Sequence, residues 1–319
     1  MKNLKKIGLY LSLLLVIVTI VGCSPKKNVD KDLIDIEDVQ DIDVAYPIEI
    51  EDNFGNKEII EKEPMRIVSL APSNTEMLFA LGLGDKVIGV TSNCNYPQEA
   101  TTKEIVGGYE ANLEKIVELD PDLVLVYGPG DEGEVKLLRD AGINVLGFMP
   151  ETIDAVIADI KTIGKITGTS NAADILTKDM INKRDEIIDA VKGKEKVKVF
   201  YEIWHDPLMA AGKGSFMDEL ITMAGGENIA EDADGAYPEY DLEQLVERDP
   251  EVYLTSEDTP EKTVESIKIR PGFENISAIK NDRIYIFKEA EADVVSRPGP
   301  RIIEALELVA KSIYPELFK

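Results

Sequence analysis

Few residue types able to do covalent chemistry occur in this chain, and their spacing argues against catalysis. There is one histidine, His205, and there are two cysteines, Cys23 and Cys94. One histidine cannot build a two-histidine zinc site, and neither a Gly-x-Ser-x-Gly elbow nor a phosphate-cradling glycine loop is present. Aspartate and glutamate number 61 in 319 residues, so chance acidic pairs are common and none by itself marks an acid–base site. The chain therefore reads as a non-enzyme, with no cofactor and no metal site of its own. Cys94 is expected as a small buried apolar residue rather than a ligand.

The aromatic residues say more. Tyr96, Tyr109, Tyr127, Trp204 and Tyr237 all fall where segments that read as strands come to an end. Planar rings with a polar tip offer a large contact area to a bulky, partly apolar ligand and hydrogen bonds to its rim. His205, beside Trp204, is within reach of a metal centre in such a ligand, or else serves as a loop or capping residue.

A duplicated segment positions these residues. Asn112 to Leu125, NLEKIVELDPDLVL, returns 129 residues later as Asp241 to Leu254, DLEQLVERDPEVYL, with seven of fourteen positions identical. Each copy reads as a helix and then a strand. Asn112 or Asp241 caps the helix by accepting from unpaired N–H groups, and Gln244 is placed to close a capping box in the second copy. Asp120-Pro121 and Asp249-Pro250 end the helices, since proline disfavours a helical residue before it. Repetition at this distance implies two similar α/β lobes rather than a solenoid. Glu114 and Glu243 occupy the second position of the two helices, where the positive end of the helix dipole favours a carboxylate. The expectation is that the strands point to the ligand while the helix starts hold these glutamates on outer faces.

The remaining pattern fits two Rossmann-like lobes with parallel sheets, joined by a single long α-helix. Strands are expected at 66–70, 87–90, 144–148, 197–203 and 283–287, and helices from Ser73, over 134–140, 216–224 and about 300–314. A hairpin pairs Tyr46–Ile50 with Lys57–Ile60. Residues 152–192 are nearly all helical. The boundaries read as an N-terminal lobe at 46–167, a linking helix at 168–194 and a C-terminal lobe at 195–319.

Lys2, Lys5 and Lys6 precede an uncharged apolar run from Ile7 to Val21 and then Gly22-Cys23, the layout of an export signal over residues 1–22. Residues 23–45 are polar and acidic and read as a flexible tether. The net charge of −26 excludes nucleic acid as a partner, because phosphate binding needs basic surface.

Five segments carry a resemblance: RIVSLAPSNTEMLFALG, the Asn95-Tyr96-Pro97 turn, NLEKIVELDPDLVLVYG, AGKGSFMDELITMAGGENIA and SRPGPRIIEALELVA. Together they resemble the class III substrate-binding proteins of ABC transporters, which take up vitamin B12, haem or ferric siderophores, and most closely the vitamin B12-binding branch. Ile20-Val21-Gly22-Cys23 likewise resembles a bacterial lipobox. The resemblance implies a lipid-modified Cys23 that anchors the protein outside the cytoplasm on the cell membrane. It implies a cobalamin or related corrinoid held between the lobes by Tyr96, Tyr109, Tyr127, Trp204, His205, Tyr237, Asp293 and Arg297. Tyr109, Tyr127 and Tyr237 stand where the branch has tryptophans, and Asp293 and Arg297 fall in the loop before the last helix. Arg301 is expected as a structural or docking charge. Glu114 and Glu243 match the pair that docks onto a permease. The implied partners are permease and ATPase subunits, with the chain itself a monomer. A haem or ferric-siderophore binder is the alternative on the same scaffold; a surface sensor or adhesin is the alternative outside transport.

Overall fold

A computed structural model describes residues 44–257, 259 and 262–318. The export signal, Cys23 and nearly all of the tether lie outside the described residues.

The N-terminal lobe begins with the hairpin β1 (Ile48–Glu51) and β2 (Lys57–Ile60), paired antiparallel. Asp52 at its turn binds the N–H of Gly147 and so fastens the hairpin to the sheet behind it. There follow β3 (Ile67–Ser69), α1 (Pro72–Ala80), β4 (Val87–Val90), β5 (Glu104–Ile105), α2 (Leu113–Glu118), β6 (Leu123–Tyr127), α3 (Glu132–Asp140) and β7 (Asn144–Phe148). The five strands form a parallel sheet in the order β5-β4-β3-β6-β7. Strand periodicity puts alternate residues on opposite faces. Ile67, Leu123 and Leu125 enter one buried cluster, while Val68, Val124 and Val126 enter another under α2 and α3.

Two antiparallel helices follow, α4 (Ile153–Thr167) and α5 (Ser170–Val191), turned by Gly168 at φ 76°. A Cβ on Gly164 would lie 2.6 Å from that of Ala173, so glycine is what lets the two helices approach. The 22 residues of α5 span about 33 Å at 1.5 Å per residue.

In the C-terminal lobe come β8 (Val197–His205), β9 (Leu208–Ala210), α6 (Phe216–Met223), β10 (Gly226–Asn228), α7 (Leu242–Arg248), β11 (Val252–Ser256), α8 (Val264–Lys268), α9 (Ser277–Lys280), β12 (Ile284–Phe287), α10 (Ala290–Ser296) and α11 (Ile302–Ile313). The parallel order is β10-β8-β11-β12, with β9 antiparallel to β8. One apolar cluster runs from the N-terminal sheet through α4 and α5 to Val199, Leu254 and α11. This continuous core makes the two-lobed α/β architecture a single packed body.

The elements expected from the sequence mostly end within two residues of the observed ends. β8 runs two residues past Ile203, where β9 folds back and pairs His205 with Leu208. The expected box at Gln244 gives way to Asp241 accepting from the N–H of Glu243 at 2.6 Å, and a reciprocal box forms instead at Thr263 and Ser266.

Candidate functional site

Parallel strands connected by helices place strand C-termini and the N-termini of the following helices at one edge. A cleft of about 1130 Å³ opens at that edge. This is above the roughly 300–1,000 Å³ usual for drug-sized ligands. Its floor is the start of α1, at Ala71, Pro72 and Ser73, and the end of β6, at Val126 and Tyr127. One wall is the 108–113 loop; the other is supplied by the C-terminal lobe through Asp293, Ser296, Arg297 and Pro298.

The 107–111 loop is a tight bridge between Gly107 and Ala111. A Cβ on Gly107 would fall 2.3 Å from the carbonyl oxygen of Glu110, which excludes any other residue there. The loop carries Tyr109 outward, fully exposed at the cleft mouth. Tyr127 is half-exposed at the end of β6. Burial pushes its phenol up, and Tyr237 and then Glu151 push it further. Burial likewise raises the Tyr237 phenol, again with help from Glu151. Glu151 thus raises both phenols.

Tyr109, Tyr127, Asp293 and Arg297 line the cleft, and Tyr237 is exposed and not among its lining residues. Trp204 and His205 do not line it. They sit exposed on the β8–β9 hairpin with ring centroids 5.8 Å apart, and the Trp204 indole donates to the carbonyl of Asp206 at 2.9 Å. Tyr96 also lies off the lining: its ring stacks under the Arg301 guanidinium, 3.8 Å from the centroid. Asp293 lies within α10, not in a loop, and Arg297 caps that helix. Arg301 is structural, bound through two nitrogens to Glu76 at 2.9 and 2.7 Å.

Glu114 and Glu243 are exposed at the starts of α2 and α7. Leu113, the residue before Glu114, lines the cleft. Helices in such units start at the edge where the strands end, which is where both glutamates stand.

The cleft is acidic. Glu110, Asp131, Glu134 and Asp293 line it against one basic residue among those described, Arg297. That arginine is already paired with Asp293 at 2.7 Å and Glu76 at 3.2 Å. The described residues hold no group of three or more His, Cys, Asp or Glu that could bind a metal. Cys94 is buried and accepts from Thr75 at 3.1 Å. The sequence reading passed over Glu76 and Asn95, although Glu76 stands in the quoted Pro-Ser-Asn-Thr-Glu motif.

Comparison with known proteins agrees with this geometry. The profile of the periplasmic binding protein family matches residues 67–291. The uncharacterized ABC transporter substrate-binding lipoprotein YvrC of Bacillus subtilis is 38% identical over 99% of both chains. A cobalamin-binding protein of Halobacterium salinarum is 31% identical, over 85% of this chain and 75% of its own. The crystal structure of a possible iron-binding, periplasmic solute-binding protein of Staphylococcus epidermidis superposes with a TM-score of 0.70. It is 32% identical and covers 79% of this chain and 100% of its own.

Proposed function

The chain belongs to the periplasmic binding protein family, and on that premise we propose that it captures a corrinoid such as cobalamin in the cleft. It is an ABC importer's substrate-binding protein of the cobalamin, siderophore and haem type, and not an enzyme. Such proteins act outside the cytoplasm and work with the permease and ATPase components of the importer.

The acidity of the cleft carries the choice of ligand. A haem with two propionates, or an anionic ferric chelate, would meet four carboxylates and an arginine already neutralised. A corrinoid presents a broad apolar face, an amide rim and no net negative charge at its ring. It suits the rings of Tyr109 and Tyr127 and a large, acidic space. The relative from H. salinarum supports the same reading. Likeness to the S. epidermidis protein favours an iron chelate as the second reading.

The test is calorimetric titration of the full-length protein in detergent with cyanocobalamin, haem and ferric siderophores. Micromolar or tighter binding of cyanocobalamin is expected. Saturable binding of an anionic chelate with none of cyanocobalamin would sink the proposal. Trp204 fluorescence is the weaker probe, because its ring does not line the cleft.

Glu114 and Glu243 would dock on basic residues of the permease, one per lobe, on the side where the cleft opens. Glu114→Ala and Glu243→Ala should lower uptake and leave ligand affinity intact; a fall in affinity would show the residues to be misassigned. A lipid on Cys23, after removal of residues 1–22, would tether the monomer to the cell membrane, and Cys23→Ala should release it into the medium.

A further inference from the structure

Six side chains form a cross-lobe cluster beside the cleft. Glu76, in α1 of the N-terminal lobe, has a side chain only 2% exposed. It accepts from Arg297 at 3.2 Å and from Arg301 at 2.9 and 2.7 Å, both reaching from the C-terminal lobe. Arg297 also donates to the side-chain oxygen of Asn95 at 2.6 Å and pairs with Asp293 at 2.7 Å, while Asn95 donates to Asp293 at 2.9 Å. Arg301 lies flat on Tyr96, which completes the cluster.

Two carboxylates and two guanidiniums make this cluster electrically neutral. Arg297, alone among the basic described residues, lines the cleft, so its partners decide whether the cleft offers a positive charge. A guanidinium that already holds two carboxylates and an amide has little attraction left for a third anion. Asp293 could be displaced by an incoming anion, since its side chain is 31% exposed. Glu76 cannot, because it is buried beneath the cleft floor and held by two arginines at once.

We propose that Glu76 is a specificity-determining residue: by holding Arg297 and Arg301 it denies the cleft a free cation and excludes anionic chelates. It acts through Arg297 and is in that sense a positioning residue. The inference rests on the cleft being the ligand site. The same three-residue clasp bridges the lobes.

The experiment measures the ratio of haem to cyanocobalamin affinity by calorimetry, using the full-length protein in detergent. Glu76→Gln keeps the shape, removes the charge and should raise the ratio about tenfold or more, since charge complementarity sets specificity. The gain should shrink at high salt, as an electrostatic effect must. Glu76→Asp, which keeps the charge, should return the ratio towards that of the wild type, an outcome a merely structural role would not give. Asp293→Asn touches no buried carboxylate and serves if Glu76→Gln does not fold; it should move the ratio the same way by less. A wild type that prefers cyanocobalamin, with the ratio unmoved in the folded variants, would overturn this inference alone. A wild type that binds haem more tightly than cyanocobalamin would overturn it together with the corrinoid reading.

Discussion

The two copies of the duplicated segment fold alike up to their last strand residue and then part. α2 and α7 each start from a side-chain cap, Asn112 and Asp241, and each ends at an aspartate in the left-handed region, with φ 46° at Asp120 and 50° at Asp249. β6 lies between β3 and β7 as β11 lies between β8 and β12. The offset of the repeat sets Ser256 against Tyr127. The first copy thus delivers an aromatic ring to the cleft, while the second delivers a hydroxyl that pairs with Tyr201 at 2.7 Å. The C-terminal lobe reaches the cleft instead through Asp293, Ser296, Arg297 and Pro298 around the end of α10. Duplication preserved the scaffold, and the ligand face diverged one residue past it.

The lobes differ in a second way, in how each buries a carboxylate. Glu202 is fully buried on β8 and meets Arg270, Lys262 at 3.3 Å and the hydroxyl of Tyr253. Asp159 is 4% exposed on α4, and the partner it is given is an amide, Asn53 at 3.3 Å. The largest effect should therefore follow Glu202→Gln, which leaves Lys262 and Arg270 facing a neutral side chain. Loss of one partner of a buried ion pair costs about 3–5 kcal/mol. Urea unfolding should show this as a lower midpoint with an unchanged slope; a cost below about 1 kcal/mol would mean that water reaches the cluster.

Asp159 should behave in the opposite sense. Burial raises its carboxyl to about 7, and the bond from Asn53 offsets this only in part. An unfolded aspartate titrates near ~3.9. Between these values the folded state holds a proton that the unfolded state has lost, so stability is greatest below about pH 4 and falls as pH rises towards 7. Asp159→Asn abolishes that dependence. The variant should be more stable than the wild type at pH 8 by on the order of 2–4 kcal/mol and about equal to it at pH 4. Denaturant unfolding at the two pH values checks this, and an equal difference at both would show that packing, not ionisation, governs the site.

How much of this was legible depends on whether the signal was local. Caps, proline stops and alternating apolar residues act within one element, and they placed the longer helices and strands from the chain alone, while the short β5, β9, β10, α8, α9 and α10 escaped. The clasp of Glu76 joins residues 221 and 225 positions apart, so it left no periodic trace. Its two halves stood in recognisable segments, Pro-Ser-Asn-Thr-Glu and Arg-Pro-Gly-Pro-Arg, but nothing in one points to the other. Tyr96 misled for the same reason: an aromatic at a strand end stacks on a cation from the other lobe as readily as on a ligand. Trp204 and His205 pair with β9 in a hairpin off the cleft lining, and the three residues of β9 are too short to show alternation.

The smallest effect should come from exchanging what the two copies present to the cleft. Tyr127→Ser gives the first copy the residue of the second. It removes a ring that is half-exposed, so folding should be little changed. Loss of one aromatic contact face should weaken cyanocobalamin about 10–100-fold, which corresponds to roughly 1.4–2.8 kcal/mol. Ser256→Ala is the matched change in the second copy. Its hydroxyl is engaged by Tyr201, so removal should alter affinity less than about threefold, within the net value of one hydrogen bond. Calorimetry on both variants tests the asymmetry directly. Equal losses would mean that Ser256 contacts the ligand itself and that both copies face it. A loss at Tyr127 alone would place the ligand's apolar face against the end of β6 in the N-terminal lobe.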